Sequence, residues 1–226
     1  MIFKQYRYEP LNQASYFLAC WRKGLAFVVD PIHDQGTEFN RSESRDFGVD
    51  IVGVLETHIH ADYVSCAGEL ARACGCPHYL FENTPGPVTY HPLEDGQILE
   101  LGNVRVEVIH TPGHTPEHVS YLITDVTRGD EPWAVLTGDS LLVGDVGRPD
   151  LLVGDQASDV DDSHERAMTQ FLSIRDRLFT LPDHVEVYPG HFGRSVCGGI
   201  NMSAKATSTI FFEKKFNLPM RQPNPE

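Results

Sequence analysis

Four times along this chain a short apolar run stops at a tight polar turn that carries histidine or aspartate. Ile51 to Leu55 leads into Glu56-Thr57-His58-Ile59-His60-Ala61-Asp62-Tyr63, and Val104 to Ile109 leads into His110-Thr111-Pro112-Gly113-His114-Thr115. Trp133 to Leu136 leads into Thr137-Gly138-Asp139-Ser140, and Val185 to Tyr188 into Pro189-Gly190-His191. Turns that follow strands are where polar side chains can converge while the sheet stays packed. A chain that repeats this arrangement is therefore expected to gather several strand ends along one edge. Any one of these histidines, taken singly, reads as a solvated side chain; the recurrence points to a cation site. In an extended segment His58 and His60 share a direction, because side chains alternate with a period of two. Gly138 allows the backbone close approach at the third turn, and Pro112-Gly113 fixes a sharp bend before His114. His110 reads as structural or surface, and His118 as a pocket wall or turn residue.

The rest of the pattern fits two layered sheets with helices outside. Strands are expected at Ile2 to Tyr8, Ser15 to Trp21, Leu25 to Val29, His78 to Phe81, Gln97 to Leu101 and Val119 to Ile123. Helical spacing marks Gly36 to Phe47, Val64 to Cys74 with Gly75 as its stop, Ser163 to Leu178, and a closing helix at Ala204 to Phe212. A length of 226 residues suits one domain, 1–226, with a proline-rich tail from about 219 to 226 expected to be mobile.

Composition narrows the partners. A net charge of −14 repels phosphate backbones, and no Lys/Arg cluster offsets it, so nucleic acid is not expected. The longest wholly apolar stretch, Leu25 to Val29, is far too short to span a membrane, and Met1 to Pro10 lacks the apolar core of a signal peptide. A cytoplasmic location is expected. The five cysteines, an odd number at irregular spacing, suit a reducing compartment better than a disulfide framework. Cys74-Gly75-Cys76 has no matching second pair to complete a zinc site.

The four turns, in this order, resemble the signature of the metallo-β-lactamase superfamily, His-x-His-x-Asp-His followed by a later His, an Asp and a last His. His58, His60 and Asp62 match the first part, His114 the second, Asp139 the third and His191 the fourth; Tyr63 stands where the signature has a second-site histidine. The resemblance implies an α+β fold, the αββα four-layer sandwich. Within the superfamily the chain resembles the persulfide dioxygenases, especially the bacterial branch often fused to rhodanese domains. Thr57 to Tyr63, Thr111 to His118, Gly138 to Leu151 and Tyr188 to His191 carry that likeness.

That resemblance implies one Fe(II) per chain, held by His58, His114 and Asp139, with zinc as the alternative. It implies oxidation of a low-molecular-weight thiol persulfide, such as glutathione persulfide, by O2 to sulfite and free thiol. His60, Asp62 and His191 would then orient the ligands and iron-bound water, and Tyr188 would reach toward metal-bound solvent. Arg148 is a candidate cation for a substrate carboxylate, or else an ion-pair partner of Asp145 or Asp150. Cys197 either faces the pocket and relays sulfur or is a packed thiol. The rival reading is a zinc-dependent thioester hydrolase of the glyoxalase II type. A binding protein that has lost turnover is a third, which the complete ligand set opposes. No rhodanese domain is expected within the chain, so any sulfurtransferase partner would be a separate protein, and a homodimer is compatible with the resemblance.

Overall fold

The computed structural model describes residues 1–151 and 160–222. Three antiparallel strands open the chain: β1 (Ile2–Tyr8), β2 (Gln13–Cys20) and β3 (Leu25–Val29). Helix α1 (Gly36–Phe47) follows, then β4 (Asp50–Leu55), α2 (Ala67–Cys74), β5 (His78–Phe81) and β6 (His91–Leu93). Strands β3 to β6 pair in parallel, giving a six-stranded sheet ordered β1-β2-β3-β4-β5-β6. The second half supplies β7 (Ile98–Leu101), β8 (Val104–His110), β9 (Val119–Asp125) and β10 (Ala134–Gly138). A small hairpin, β11 (Leu141–Leu142) with β12 (Asp145–Val146), precedes α3 (Val160–Ser173) and a π-helical turn, Ile174–Leu178. Strands β13 (Glu186–Pro189) and β14 (Ser208–Thr209), then α4 (Ile210–Phe216), complete a second six-stranded sheet ordered β14-β13-β10-β9-β8-β7.

Alternation along the strands builds the layers. Tyr16, Leu18 and Cys20 of β2 face Val104, Val106 and Val108 of β8 in the core between the sheets. Phe17 and Ala19 face the other way, packing with Leu70 and Ala71 of α2. On the far side, Leu122, Val135 and Val187 meet Ile174, Leu178 and Ile210. The result is helix, sheet, sheet, helix, as expected. β2 is buried along its whole length because both of its faces are covered. Each fully buried Leu, Val or Phe contributes on the order of 1.5–3 kcal/mol by leaving water.

Several boundaries differ from the sequence expectation, each for a local reason. Helix α2 starts at Ala67 instead of Val64, because Ser65 and Cys66 are drawn to the segment after β3 through Cys66 N–H to Pro31 O (3.1 Å). The closing helix starts at Ile210, not Ala204. Ser208 and Thr209 pair with β13, and the Thr209 hydroxyl then caps the helix by accepting from Phe212 N–H. Part of the supposed tail is ordered: Pro219–Arg221 form a 3-10 turn with Met220 packed against the outer core, while 223–226 lie outside the described residues. Strands β6, β11 and β12 are too short to carry a period and were not anticipated.

Candidate metal centre

The C-terminal ends of β4, β10 and β13 and the turn joining β8 to β9 meet at one edge of the sandwich. Main-chain bonds fasten the two sheets there. Val119 N–H donates to Thr57 O (2.8 Å) and Ala14 N–H to Gly190 O (2.8 Å) across them, and Gly190 N–H donates to Gly138 O (2.7 Å) within the second sheet. Close approach is steric as well. A Cβ on Gly147 would lie 1.8 Å from the carbonyl oxygen of Asp139 and 3.2 Å from His114 Nδ1.

His58, His114 and Asp139 come together at this edge, all buried, with one ligand atom from each within 4.8 Å of the others. Asp139 Oδ2 lies 3.7 Å from His58 Nε2 and 3.6 Å from His114 Nε2. That oxygen is buried and has no hydrogen-bond partner. Both histidines have the other ring nitrogen occupied: His58 Nδ1 lies 2.9 Å from the Thr57 hydroxyl, and His114 Nδ1 lies 2.8 Å from Arg148 O. With Nδ1 so occupied, Nε2 of each ring is left for a cation, the way ligating histidines are ordinarily fixed. Two ring nitrogens facing one orphaned buried carboxylate oxygen fit a divalent metal ion.

The electrostatics prepare the same donors. Burial, with the neighbouring His60, His114 and His118, holds His58 well below the usual imidazole range, so it is neutral and able to ligate. Burial acts against ionisation of Asp139, but His191 followed by His58 and His114 outweighs it and holds the carboxyl well below its usual range. His118 is pushed down to about 3 by burial. It lies outside the ligand set: its Nε2 accepts from Asp139 N–H (3.0 Å) and its Nδ1 meets the Thr111 hydroxyl (2.9 Å). This pins the backbone that presents Asp139.

The other expected residues divide. His191 Nδ1 sits 2.7 Å from Asp139 Oδ1, and its Nε2 lies 2.9 Å from Asp62 Oδ2. Burial disfavours its charge, yet Asp139 and Asp62 on its two sides push it up to about 10. His60 leaves the metal cluster: its Nε2 lies 3.1 Å from Asp30 Oδ1. Residues 57–63 are not strand, yet the His58 and His60 rings lie side by side as expected, 4.2 Å between centroids, and it is the pairing with Asp30 that sets His60 apart from the three clustered donors. Tyr188 is a correction. Its register opposite Leu136 turns the ring into the core with Phe3, Trp133 and Tyr16, and its hydroxyl donates to Glu186 (2.5 Å) and not to the metal cluster. The Arg148 guanidinium is held two-pronged by Asp150 (3.1 and 2.6 Å), the ion-pair alternative, and is half exposed. Cys197 is buried within reach of Asp62 and His191, its thiol pushed up by burial and then by Asp139 and Asp62. His110 stacks on Phe81 (4.2 Å between centroids), a structural role as expected.

One residue was missed. Asp30, buried at the end of β3, accepts from Thr57 N–H (2.8 Å) and the Thr57 hydroxyl (2.9 Å), besides facing His60. Through Thr57 it reaches His58. The signal was present: Val28-Val29-Asp30-Pro31 is a fifth strand end carrying a carboxylate.

The metallo-beta-lactamase superfamily model matches residues 8–191. The chain belongs to that superfamily. It is 26% identical over 186 residues to "Persulfide dioxygenase ETHE1, mitochondrial" of Bos taurus, covering 81% of this chain and 66% of the bovine protein, just under two thirds of its length. It is 30% identical over 203 residues to "Probable hydroxyacylglutathione hydrolase glo2" of Schizosaccharomyces pombe, covering 88% of this chain and 69% of that protein. Among solved structures, ETHE1 from Myxococcus xanthus superposes with a TM-score of 0.81 at 26% identity, over 100% of this chain and 87% of that one. A metal-binding enzyme fold is thereby given. Among the described residues, no helix is long and apolar enough to cross a membrane.

Proposed function

We propose that the chain is a mononuclear non-haem iron persulfide dioxygenase, with His58, His114 and Asp139 as the iron ligands. The observation that carries this reading is the two-histidine, one-carboxylate set beside Tyr63, which occupies the place of the superfamily's second-site histidine. Such a set leaves coordination positions open for two small molecules at once. The names of the bovine and Myxococcus relatives support the reading, and that of the yeast relative supports the hydrolase alternative. A thioester hydrolase of the two-zinc kind draws on the histidine that is absent here; the Tyr63 ring instead lies 4.3 Å from that of His60.

The reaction balances as RSSH + O2 + H2O giving RSH, sulfite and two protons. Iron(II), when bound, supplies the redox partner for dioxygen and the affinity for the terminal sulfur. The chain's own residues hold the ligands in place. Asp139 supplies the single negative charge, His191 fixes its second oxygen, and Asp30 acts through Thr57 on His58. His60 Nδ1 and Asp62 Oδ1 are buried polar atoms without partners, available to hydrogen-bond substrate or water. The carrier thiol and any separate sulfurtransferase belong to the same proposal.

Protein reconstituted anaerobically with Fe(II) is expected to hold one iron per chain, and with glutathione persulfide to consume O2 and release an equal amount of sulfite. Asp139→Ala should lose iron at neutral pH, since only two neutral donors remain. Hydrolysis of a glutathione thioester by a two-zinc form, without oxygen uptake on persulfide, would overturn the reading.

A further inference from the structure

Helix α3 lies outside the second sheet, yet one of its side chains reaches the turns that present the metal ligands. Gln170 is 2% exposed, and its carboxamide nitrogen donates to Ser140 O (3.0 Å) and Gly147 O (2.9 Å), which uses both of its hydrogens. Ser140 directly follows Asp139. The peptide joining Gly147 to Arg148 is gripped at both ends, its oxygen by Gln170 and its N–H by Cys197 O (2.8 Å). That grip aims the next carbonyl, Arg148 O, at His114 Nδ1. A carbonyl can only accept, so Nδ1 carries the hydrogen and Nε2 keeps its electron pair for the ion. The backbone of Gln170 bears on the same ligand: a Cβ on Gly113, next to His114, would lie 2.1 Å from Gln170 Cβ and 2.4 Å from its Cα.

Packing alone does not explain a glutamine at this place. Its Oε1 is buried without a partner, and turning the amide over would set that oxygen against two carbonyl oxygens. A methionine would fill a similar volume without burying an unsatisfied acceptor, so what the amide adds is its pair of donors. A breach of the local rule of this kind is expected where a site needs its geometry held. We infer that Gln170 is a positioning residue of the metal centre: its two donated hydrogen bonds fix the main chain that presents Asp139 and orients His114. It acts on two of the three ligands, since His58 follows a strand of the first sheet. The inference rests on His58, His114 and Asp139 holding the ion, not on the reaction performed there.

The test uses the full chain loaded with Co(II), whose visible ligand-field bands report the geometry around the ion, and measures affinity by competition with a chelator. Gln170→Met keeps the volume and removes both donors. Its affinity should fall by about tenfold, the low end for residues that stand behind a ligand, and its bands should shift. Gln170→Glu, of the same shape, turns carboxylate oxygens onto the two carbonyls; it should lose at least as much, and it serves if the methionine variant does not fold. Ile174→Val, a buried truncation one turn further along, separates stability from positioning: it should lower the urea midpoint while keeping the parent's affinity and bands. A parent chain that holds no cobalt would sink the ligand assignment and this inference with it. A parent that binds one ion, with Gln170→Met matching it in affinity and bands or with Ile174→Val weakening it equally, would overturn the inference alone.

Discussion

At the scale of single residues, the centre depends on side chains that never touch the metal. Asp30 has φ of 50°, a left-handed conformation that non-glycine residues seldom adopt, and the strained backbone aims its carboxylate at Thr57 and His60. Asn tolerates this conformation nearly as well as Asp does, so Asp30→Asn separates the charge from the backbone geometry. The variant should fold, but its amide must turn a donor toward Thr57 N–H, the Thr57 hydroxyl or His60. Metal affinity is then expected to fall by about 10- to 100-fold, as for other losses behind a ligating histidine. Competition with a fluorescent chelator measures this, and an affinity equal to that of the parent would reduce Asp30 to a purely structural role.

At the scale of elements, the loop after β12 serves the site through its main chain. Arg148 O accepts from His114 Nδ1, and Arg148 N–H donates to Cys197 O (2.8 Å), while the guanidinium is spent on Asp150 at the surface. Arg148→Ala should therefore leave metal content and kcat unchanged and cost under about 1 kcal/mol of stability. A KM for glutathione persulfide raised about tenfold or more would instead give the side chain a substrate carboxylate. A second contact ties the π-helical turn to the second sheet: Arg177 Nη2 reaches both oxygens of Asp95 (2.8 and 3.0 Å), which also accepts from His110 N–H. Burial works against the Asp95 charge, but Arg177 and the His110 N–H hold its carboxyl below the usual range. A folded-state pKa depressed in this way gives stability present above the unfolded value near about 3.9, and lost as pH falls through the folded one. The partners are part-exposed, so the contribution is under about 1 kcal/mol. Urea midpoints followed from about pH 5 downward should drop more steeply for the parent than for Asp95→Asn. Parallel curves would show the pair to be inert.

At the scale of the molecule, His58 follows the first sheet while His114 and Asp139 follow strands of the second, so a bound ion ties the two sheets at one edge. A ligand present at a thousand times its dissociation constant stabilises by about 4 kcal/mol. Chelation should therefore lower the unfolding free energy read from urea titration by about that amount, and re-addition of metal should restore it; an unchanged value would mean that no ion is held by the folded chain. The layered sandwich was legible in the sequence because apolar alternation is a local property: Val104, Val106 and Val108 mark a half-buried strand wherever it packs. The strand-then-turn recurrence likewise announced that histidines and aspartates would gather at one edge, since strand ends in layered sheets share an edge, while the choice of His58, His114 and Asp139 among them came from the resemblance to the persulfide dioxygenases. Helix starts at Ala67 and Ile210 were not legible, because pairing of Cys66 with Pro31 and of Thr209 with Glu186 overrides local helical spacing. Nor were the assignments of individual side chains. That Tyr188 turns into the core, that His60 goes to Asp30, and that Cys197 arrives beside His191 all depend on which partners lie across the fold. Partners distant in sequence leave no period in it, so only the tertiary structure decided them.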